Sequence, residues 1–299
     1  MSRILAIHGV ATHIDPRRFS FRNLTGADAL GTFLSSTPRL VSLPEALAGR
    51  GDALTIDDAT RAGGDAALLA RKHGHAVTLF VNPGQVESGA PYAFLALNAL
   101  LDGLDNQRRE FEGRMFATST GAHRQLLRRA IKTKVREIAD EQARLDLVNR
   151  LAAGWGITHL EVPPHFSTLR KRDLMALRDA GVDLQNHGWS HTDHSILSVE
   201  ASRREVSEGR GWLQRELALD ATYFAVPFGD VLPLPNASTG CEIWFTVTNA
   251  IPPGRHAPNV FNRETPDLPE GDGRPRLVSA GLRAVSSWTS RLLAFVGRS

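Results

Sequence analysis

The chain has 299 residues, of which 42% are hydrophobic and 22% are charged. This composition is typical of a globular protein with a substantial core, in one large α/β domain or two smaller ones, and it excludes a largely disordered chain. The net charge of +3 is small for this length, so we expect no nucleic-acid partner, which would need basic residues clustered on one face. With Cys241 as its single cysteine, the chain can form neither an internal disulfide nor a cysteine-based metal site.

The N-terminal segment lacks the features of a secretion signal. Its apolar run, residues 4–7, is too short for a signal-peptide core, and charged residues rather than a small-residue cleavage site follow it. No stretch of the sequence reaches the length of a membrane span. We therefore expect a cytoplasmic protein.

Strand and helix patterns alternate over the first third of the chain. They predict a buried strand at residues 3–10, the start of a short helix at 43–47, a strand at 52–56, a helix at 60–74 and a strand at 76–83. The last three form a βαβ unit, so its two strands are predicted to be parallel neighbours.

Polar residues follow these predicted strands. Asp57 and Asp58 come directly after the strand at 52–56, where parallel α/β folds place their chemistry. Asn82 ends the next strand, where it could reach the site or only form the Asn-Pro-Gly turn. For His8, which ends the first strand, a core or supporting role is favoured over metal ligation.

Residues 92–155 are predicted to form a helical insertion on the side of the main fold. Within residues 124–149 an apolar stripe recurs at helical spacing, formed by Leu127, Ile131, Val135, Ile138 and Leu145. Basic and acidic residues surround the stripe. A solvated helix face is favoured over a docking face for an acidic partner or a membrane.

Alternating strands and helices resume after the insertion. Ser167 is predicted to cap a helix that stops at Gly181, and a strand at 182–185 then leads into Asn186 and His187. Ser198 is predicted to cap the next helix, without a capping-box acid. Two further strands are predicted at residues 221–227 and 242–248.

His187 and His191 are four residues apart, so their imidazoles would share one face if this segment were a helical turn. A divalent cation held by two neutral imidazoles needs a carboxylate for charge compensation, and Asp58 is the candidate. Asp57 could then stay off the ion and accept a proton from a bound water. In a chain with eleven histidines, a purely structural pair remains the alternative.

Three segments in order resemble the polysaccharide deacetylases of carbohydrate esterase family 4, the NodB-homology domain. Residues 55–59 (TIDDA) resemble the family's T-F-D-D-G motif, and residues 186–194 (NHGWSHTDH) resemble N-H-T-x-S-H-P-D-L. Residues 224–229 (FAVPFG) resemble F-R-P-P-Y-G. The second motif is the most specific of the three, and the likeness spans most of residues 1–250 outside the helical insertion.

The resemblance implies an α/β fold, a distorted (β/α) barrel of about seven strands in a single domain, with the insertion at about 92–155 and a C-terminal tail at about 252–299. It implies a divalent ion, usually zinc, on Asp58, His187 and His191, with Asp57 as general base. The backbone N–H of Phe228 would help to stabilise the oxyanion of an acetamide under attack. The products would be acetate and a free amine.

This sequence departs from the family pattern at several positions. The third-motif arginine, which orients the catalytic carboxylate in the family, is Ala225 here, and we hypothesise that Arg263 replaces it. Ala59 stands for the first-motif glycine, and Phe228 stands for the third-motif tyrosine. No clear L-x-H motif follows, so His256, the only late histidine, is a weak candidate for the general acid.

Residues 282–298 carry an apolar stripe with arginines between its members. The stripe could lie on a membrane surface, but docking against the barrel is favoured.

We therefore expect a metal-dependent N-deacetylase that acts on an amino sugar or glycoconjugate inside the cell. An amidase for a non-sugar acylamine is the nearest alternative, and a catalytically inactive metal- or sugar-binding relative is another. Retention of Asp57 beside the three candidate ligands argues against the inactive relative, since a protein that only binds needs no general base. The sequence leaves the oligomeric state open.

Overall fold

A computed structural model describes residues 2–229, 241, 243–247, 260–266 and 268. For residues 243, 244 and 247 it describes the backbone alone. The predicted C-terminal stripe at 282–298 and His256 lie outside the described residues.

The described strands are β1 (Ile4–Ile7), β2 (Val10–Ala11), β3 (Thr25–Gly26), β4 (Ala53–Ile56), β5 (Thr78–Val81), β6 (Arg109–Phe111), β7 (Arg114–Phe116), β8 (Asp183–Asn186), β9 (Tyr223–Ala225), β10 (Ile243–Val247) and β11 (Val260–Arg263). The helices are α1 (Ala27–Ser36), α2 (Leu43–Leu47), α3 (Arg61–Lys72), α4 (Pro83–Ser88), α5 (Ala93–Asp102), α6 (Gly121–Arg136), α7 (Glu141–Gly154), α8 (Lys171–Asp179) and α9 (Val199–Leu217).

Seven parallel strands form the main sheet, in the order β1-β4-β5-β8-β9-β10-β11. A parallel bridge from Leu5 to Glu264 joins the last strand back to the first. Its hydrogen bonds run from Ala6 N to Glu264 O (2.8 Å) and from Glu264 N to Ile4 O (2.9 Å). The sheet thus nearly closes, which confirms the predicted distorted (β/α) barrel.

The last strand lies inside the segment that the sequence assigned to a C-terminal tail. β11 pairs with β10 in parallel register, Val247 opposite Arg263. The barrel therefore extends beyond residue 252, and its closing strand carries Arg263.

Strands β4 and β5 are largely apolar, and α3 covers their outer surface. Every residue of β4 and β5 is buried, as is usual for parallel strands covered on both faces. α3 packs closely on them through small residues, since Ala62, Ala66 and Ala70 are fully buried. The predicted βαβ unit is confirmed, because β4 and β5 are parallel neighbours.

Residues 92–155 lie between β5 and β8 and form α5, a β-hairpin, α6 and α7. Their apolar faces share a core that includes Leu97, Leu100, Leu127, Ile131 and Val148. The predicted stripe does not continue through one helix. Helix α6 ends at Arg136, and the Asp140 side chain caps α7 by accepting from Ala143 N at 2.7 Å.

The β6–β7 hairpin was not predicted. Phe111 pairs with Arg114, so Glu112 and Gly113 form a two-residue loop. Both have positive φ, 49° and 72°, which is the backbone of a type I′ hairpin turn. The charged strand residues around this loop hid the pattern.

Two predicted helix caps have different outcomes. Ser198 caps α9 by accepting from Ala201 N at 3.1 Å, as predicted. Ser167 was wrong, because α8 begins at Lys171 and Arg170 occupies its N-cap position. The Arg170 N–H donates to Asp173 Oδ2 at 2.9 Å, so an acid at the third helical position satisfies the helix start. No helix in the described ranges is long and apolar enough to cross a membrane.

Candidate metal centre and active site

Asp57 and Asp58 directly follow β4, at the carboxyl end of the barrel strands. The Asp57 N–H donates to Ile7 O at 3.0 Å, which continues the pairing of β1 with β4. Asp58 adopts a left-handed backbone with φ of 64°. The chain turns there, so the two neighbouring carboxylates reach different partners.

His187 and His191 lie on the loop after β8, which ends at Asn186. This loop is not a helical turn, so the predicted reason for their convergence was wrong. Gly188 and His191 have φ of 81° and 52°, and these left-handed residues fold the loop back on itself. The two imidazole centroids still lie 5.1 Å apart.

The two imidazoles meet the Asp58 carboxylate. Asp58 Oδ1 lies 3.6 Å from His187 Nε2 and 3.2 Å from His191 Nε2. One ligand atom from each residue lies within 4.8 Å of the other two. Both histidines are buried, and Asp58 is partly buried. The predicted trio therefore converges at the barrel rim.

The donor atoms of the trio fit a divalent cation. His187 Nδ1 lies 2.8 Å from Ala225 O, so it donates its proton there and leaves Nε2 as a lone-pair donor. Asp58 Oδ1 is buried and accepts no hydrogen bond from any described residue. Two imidazole nitrogens, one carboxylate oxygen and an open position are the donor set of a catalytic zinc site.

The charges of the trio match that donor set. Burial raises the pKa of Asp58, but His191 and His187 lower it more, so this pKa lies well below its usual range. Burial lowers the pKa of His191 more than Asp58 raises it. An ionised carboxylate and a neutral imidazole are the forms that bind a metal. His187 differs: burial lowers its pKa, but Asp57 and Asp58 raise it further, so a bound cation would take the place of a proton there.

Asp57 forms a buried, bidentate ion pair with Arg263. Arg263 Nη1 lies 2.5 Å from Asp57 Oδ1, and Nη2 lies 2.8 Å from Oδ2. Burial raises the pKa of Asp57, but the Arg263 charge lowers it more, so the carboxylate is ionised. The hypothesised partner of Asp57 is thus in contact with it.

The guanidinium of Arg263 is fixed by further contacts. Nη1 donates to Thr55 Oγ1 at 3.2 Å, and Nε donates to Thr246 O at 3.2 Å. Its Cζ lies 5.4 Å from the Phe80 ring centroid. The guanidinium that contacts Asp57 therefore comes from β11, two strands beyond the β9 segment that holds Ala225.

Phe228 lies at the same rim, in a short 3₁₀ segment (Pro227–Gly229) after β9. Its φ of 63° and ψ of −11° are left-handed, a conformation that costs free energy for a non-glycine residue. Its ring lies 4.8 Å from the His191 ring and 4.8 Å from the Phe94 ring. Phe228 therefore walls the candidate metal site, and the role of its backbone N–H stays a prediction.

Asn82 and Tyr92 connect the two ligand-bearing loops. Asn82 Nδ2 donates to His187 O at 2.6 Å and to Gly188 O at 3.1 Å. The Tyr92 hydroxyl donates to Asn82 Oδ1 at 3.0 Å and accepts from Ala59 N at 3.1 Å. Of the two roles predicted for Asn82, the structure therefore shows the one in which it reaches the site. Tyr92 was missed, because only the folded chain brings it to these loops.

Replacing Tyr92 with Phe is expected to destabilise the fold by about 1–3 kcal/mol, because the Ala59 N–H and the Asn82 amide lose a buried partner. Denaturant unfolding measures the change. Affinity for a divalent metal ion is expected to fall as well, since the loops carrying Asp58 and His187 lose their link. An unchanged unfolding free energy would contradict this account of Tyr92.

The insertion also contacts the site, through Arg144 of α7. Its fully buried guanidinium donates from Nη1 to His191 O (2.9 Å) and to Glu141 Oε2 (2.8 Å). Glu141 Oε1 accepts from Ala93 N at 2.7 Å, and burial raises the pKa of Glu141 to about 7. The sequence pattern predicted a solvated face for Glu141 and Arg144, so their contacts with the site were not predicted. His8 follows β1 at the same rim and is partly buried.

Residues 49–238, almost two thirds of the chain, match the polysaccharide deacetylase family. The chain belongs to the polysaccharide deacetylase family. The matched range contains Asp57, Asp58, His187 and His191, and it ends before Arg263. No curated protein matches the sequence.

Two solved structures share the fold of this family member. The deacetylase PplD of Streptococcus pyogenes, solved with acetate, is 14% identical with a TM-score of 0.55, covering 91% of this chain and 94% of PplD. BA0330 of Bacillus anthracis, assigned as a polysaccharide deacetylase, is 11% identical with a TM-score of 0.51, covering 88% of this chain and 64% of that one. At these identities the similarity concerns the fold.

Proposed function

We propose that this polysaccharide deacetylase is a metal-dependent hydrolase that removes an acetyl group from an N-acetylated saccharide and releases acetate and a free amine. One observation carries the proposal: Asp58, His187 and His191 converge beside an ionised Asp57. Membership of the family supports deacetylation. Zinc is the proposed ion, because its catalytic sites combine histidine and carboxylate ligands with an open position.

Each side chain has a proposed role. The bound ion would polarise the acyl carbonyl and lower the pKa of a water molecule. Asp57 accepts a proton from the attacking water, and Arg263 holds both Asp57 oxygens in place through its bidentate contact. The backbone N–H of Phe228 donates to the oxygen that gains charge. No described residue is assigned as the general acid for the leaving amine.

Two other functions remain to be separated from this one. An amidase for a non-sugar acylamine would use the same residues, so only a substrate panel distinguishes it. An inactive sugar- or metal-binding relative is disfavoured by the Asp57–Arg263 pair, because burying two charges is costly and binding alone does not need them. Cytoplasmic localisation also stays a prediction.

Acetate release from N-acetylated saccharides, with zinc added, tests the proposal. The Asp57→Asn variant is expected to lose about 10²- to 10⁴-fold in rate, the usual contribution of a general base. Zinc binding is expected to persist in this variant, because Asp57 is not a proposed ligand.

The outcomes separate the three functions. No acetate from parent or variant, with zinc bound to both, would favour the inactive relative. Release from non-sugar acylamines alone would favour the amidase. A variant as active as the parent would remove Asp57 from the chemistry.

A further inference from the structure

Three cations recur every fourth residue along α6: Arg128, Lys132 and Arg136. They alternate with Leu127, Ile131 and Val135, which are buried in the core of the insertion. Arg128, Lys132 and Arg136 are each partly exposed. We name these three residues the α6 cation row. Like charges at this spacing repel and destabilise a helix, so helix stability does not account for the row.

The α6 cation row begins beside the candidate metal centre. Arg136 Cζ lies 5.1 Å from the Phe228 ring centroid, and Lys132 Nζ lies 5.9 Å from it. The Phe228 ring in turn contacts the His191 ring at 4.8 Å. Two cations are therefore one aromatic ring away from a proposed ligand. At a rise of 1.5 Å per residue, the row extends from there for about 12 Å along the helix.

Arg128, at the far end of the row, has no acidic partner among the described residues. Its Nε donates to the neutral Asn98 Oδ1 at 2.8 Å, and no carboxylate within the described ranges pairs with it. The charge that acts on it is that of another cation, Arg22. Burial, and then Arg22, lower the pKa of Arg128 to about 10. Burying a guanidinium beside a like charge costs free energy, and a bound anion would offset that cost.

Among the described residues, acids pair with two other cations of α6. Arg136 pairs with Asp193 at 2.5 Å. On another side of the helix, Lys134 pairs with Glu137 at 3.0 Å and with Glu112 at 3.7 Å. Arg128 itself therefore has no acid paired with it in the described part of the protein.

We propose that the substrate is an N-acetylated saccharide that carries phosphate, and that its phosphate groups bind along the α6 cation row while the acetamide lies at the metal centre. This inference rests on the proposed function. Guanidinium groups match phosphate oxygens in geometry and charge. A row of about 12 Å suits an extended molecule, either a sugar joined to a diphosphate or a glycan linked by phosphodiesters.

Rates of acetate release from three substrates test the inference. UDP-N-acetylglucosamine carries a diphosphate, a short phosphodiester-linked oligomer of N-acetylglucosamine carries spaced phosphates, and tri-N-acetylchitotriose is neutral. We expect kcat/KM at low salt to favour at least one phosphate-bearing substrate over the neutral one, and added salt to reduce the preference. The preferred phosphate substrate identifies the source of the anion.

The variants Arg128→Gln and Lys132→Gln are each expected to reduce that preference by roughly tenfold, as for the loss of one charge-assisted contact. Lys134→Gln is the matched control, since it removes one charge from another side of the same helix. Thermal melting checks that each variant folds. If Arg128→Gln does not fold, Lys132→Gln still tests the inference.

Calorimetric binding of UDP to the zinc-loaded parent and variants provides a readout without turnover. Acetate release with no preference for phosphate would overturn the inference and leave the proposed function intact. UDP binding weakened by Arg128→Gln or Lys132→Gln but not by Lys134→Gln would support the inference even if no substrate were cleaved. An equal loss of preference in Lys134→Gln would overturn it.

Discussion

Replacing His187 with Ala is expected to abolish both stoichiometric zinc binding and deacetylation. His187 supplies one of the two proposed imidazole ligands, and its Nε2 lies 3.6 Å from Asp58 Oδ1. Loss of a hydrogen-bond partner behind a metal ligand already costs about 10- to 100-fold in affinity, so loss of the ligand itself should cost more. Calorimetric titration with zinc, alongside acetate release, measures both effects.

The matched control is His194→Ala, from the same segment of the chain. His194 is also fully buried, and its Nδ1 contacts Ser202 Oγ at 2.7 Å. It lies outside the proposed ligand trio. This variant should lose packing stability while it keeps its zinc affinity. Equal zinc affinity in His187→Ala and the parent would show that the ion, if bound, lies elsewhere.

Replacing Arg263 with Met is expected to destabilise the fold by about 3–5 kcal/mol, because it leaves the Asp57 carboxylate buried without a partner. Both carboxylate oxygens of Asp57 contact this guanidinium, and the two side chains are 8% and 1% exposed. Deacetylation should fall too, since the proposed base is no longer held. Denaturant unfolding and acetate release are the measurements.

The pH dependence of this variant has a definite sign. In the parent, the folded-state pKa of Asp57 is lowered, so its contribution to stability is present above the unfolded pKa and is lost as pH falls through the folded pKa. Without Arg263, burial would raise the pKa of Asp57, and stability would then decrease as pH rises through the unfolded pKa. The deficit relative to the parent should therefore be smaller near pH 4 than near pH 8.

Arg210→Met is the control for the Arg263 variant. Arg210 forms an ion pair with Asp220 at 2.5 Å, the same length as the Arg263–Asp57 pair. The side chains of Arg210 and Asp220 are 29% and 68% exposed, so loss of this ion pair should cost only about 0–1 kcal/mol. Similar costs for the two variants would contradict the view that burial makes the Asp57–Arg263 pair important.

Local sequence patterns were sufficient for the βαβ unit and for the strand ends that carry the candidate ligands, whereas the barrel was expected from the family resemblance alone. Asp57 and Asp58 were predicted at the end of a buried strand, and β4 ends at Ile56. The strand before His187 was predicted in the same way, and β8 ends at Asn186. Parallel strands end at a common rim of the barrel. The two strand ends therefore placed the candidate ligands close together, even though the conformation of the loop after β8 was not predicted.

The geometry within the loops could not be read from spacing. The interval of four residues between His187 and His191 suggested a helical turn, but left-handed residues at Gly188 and His191 produce the contact instead. Tyr92 and Arg144 were missed for a different reason. Each lies far along the chain from the loop it supports, and local patterns carry no signal for such contacts.

Arg263 lies between these cases. Because Ala225 stands where the family has an arginine, Asp57 needed another cation and Arg263 was predicted to supply it, but the strand that carries Arg263 was assigned to a tail. The closing strand β11 was hidden because it is short and two of its residues are exposed. The missing charge beside Asp57 therefore identified Arg263, whereas the hydrophobic pattern did not identify strand β11.

The zinc K-edge X-ray absorption spectrum of the protein loaded with one equivalent of zinc shows which side chains bind the ion. We expect two imidazole ligands at about 2.0–2.1 Å with further oxygen donors at similar distance. The His187→Ala spectrum should show one imidazole fewer or no bound zinc. A parent spectrum without histidine scattering, or one left unchanged by His187→Ala, would contradict a metal centre built from Asp58, His187 and His191.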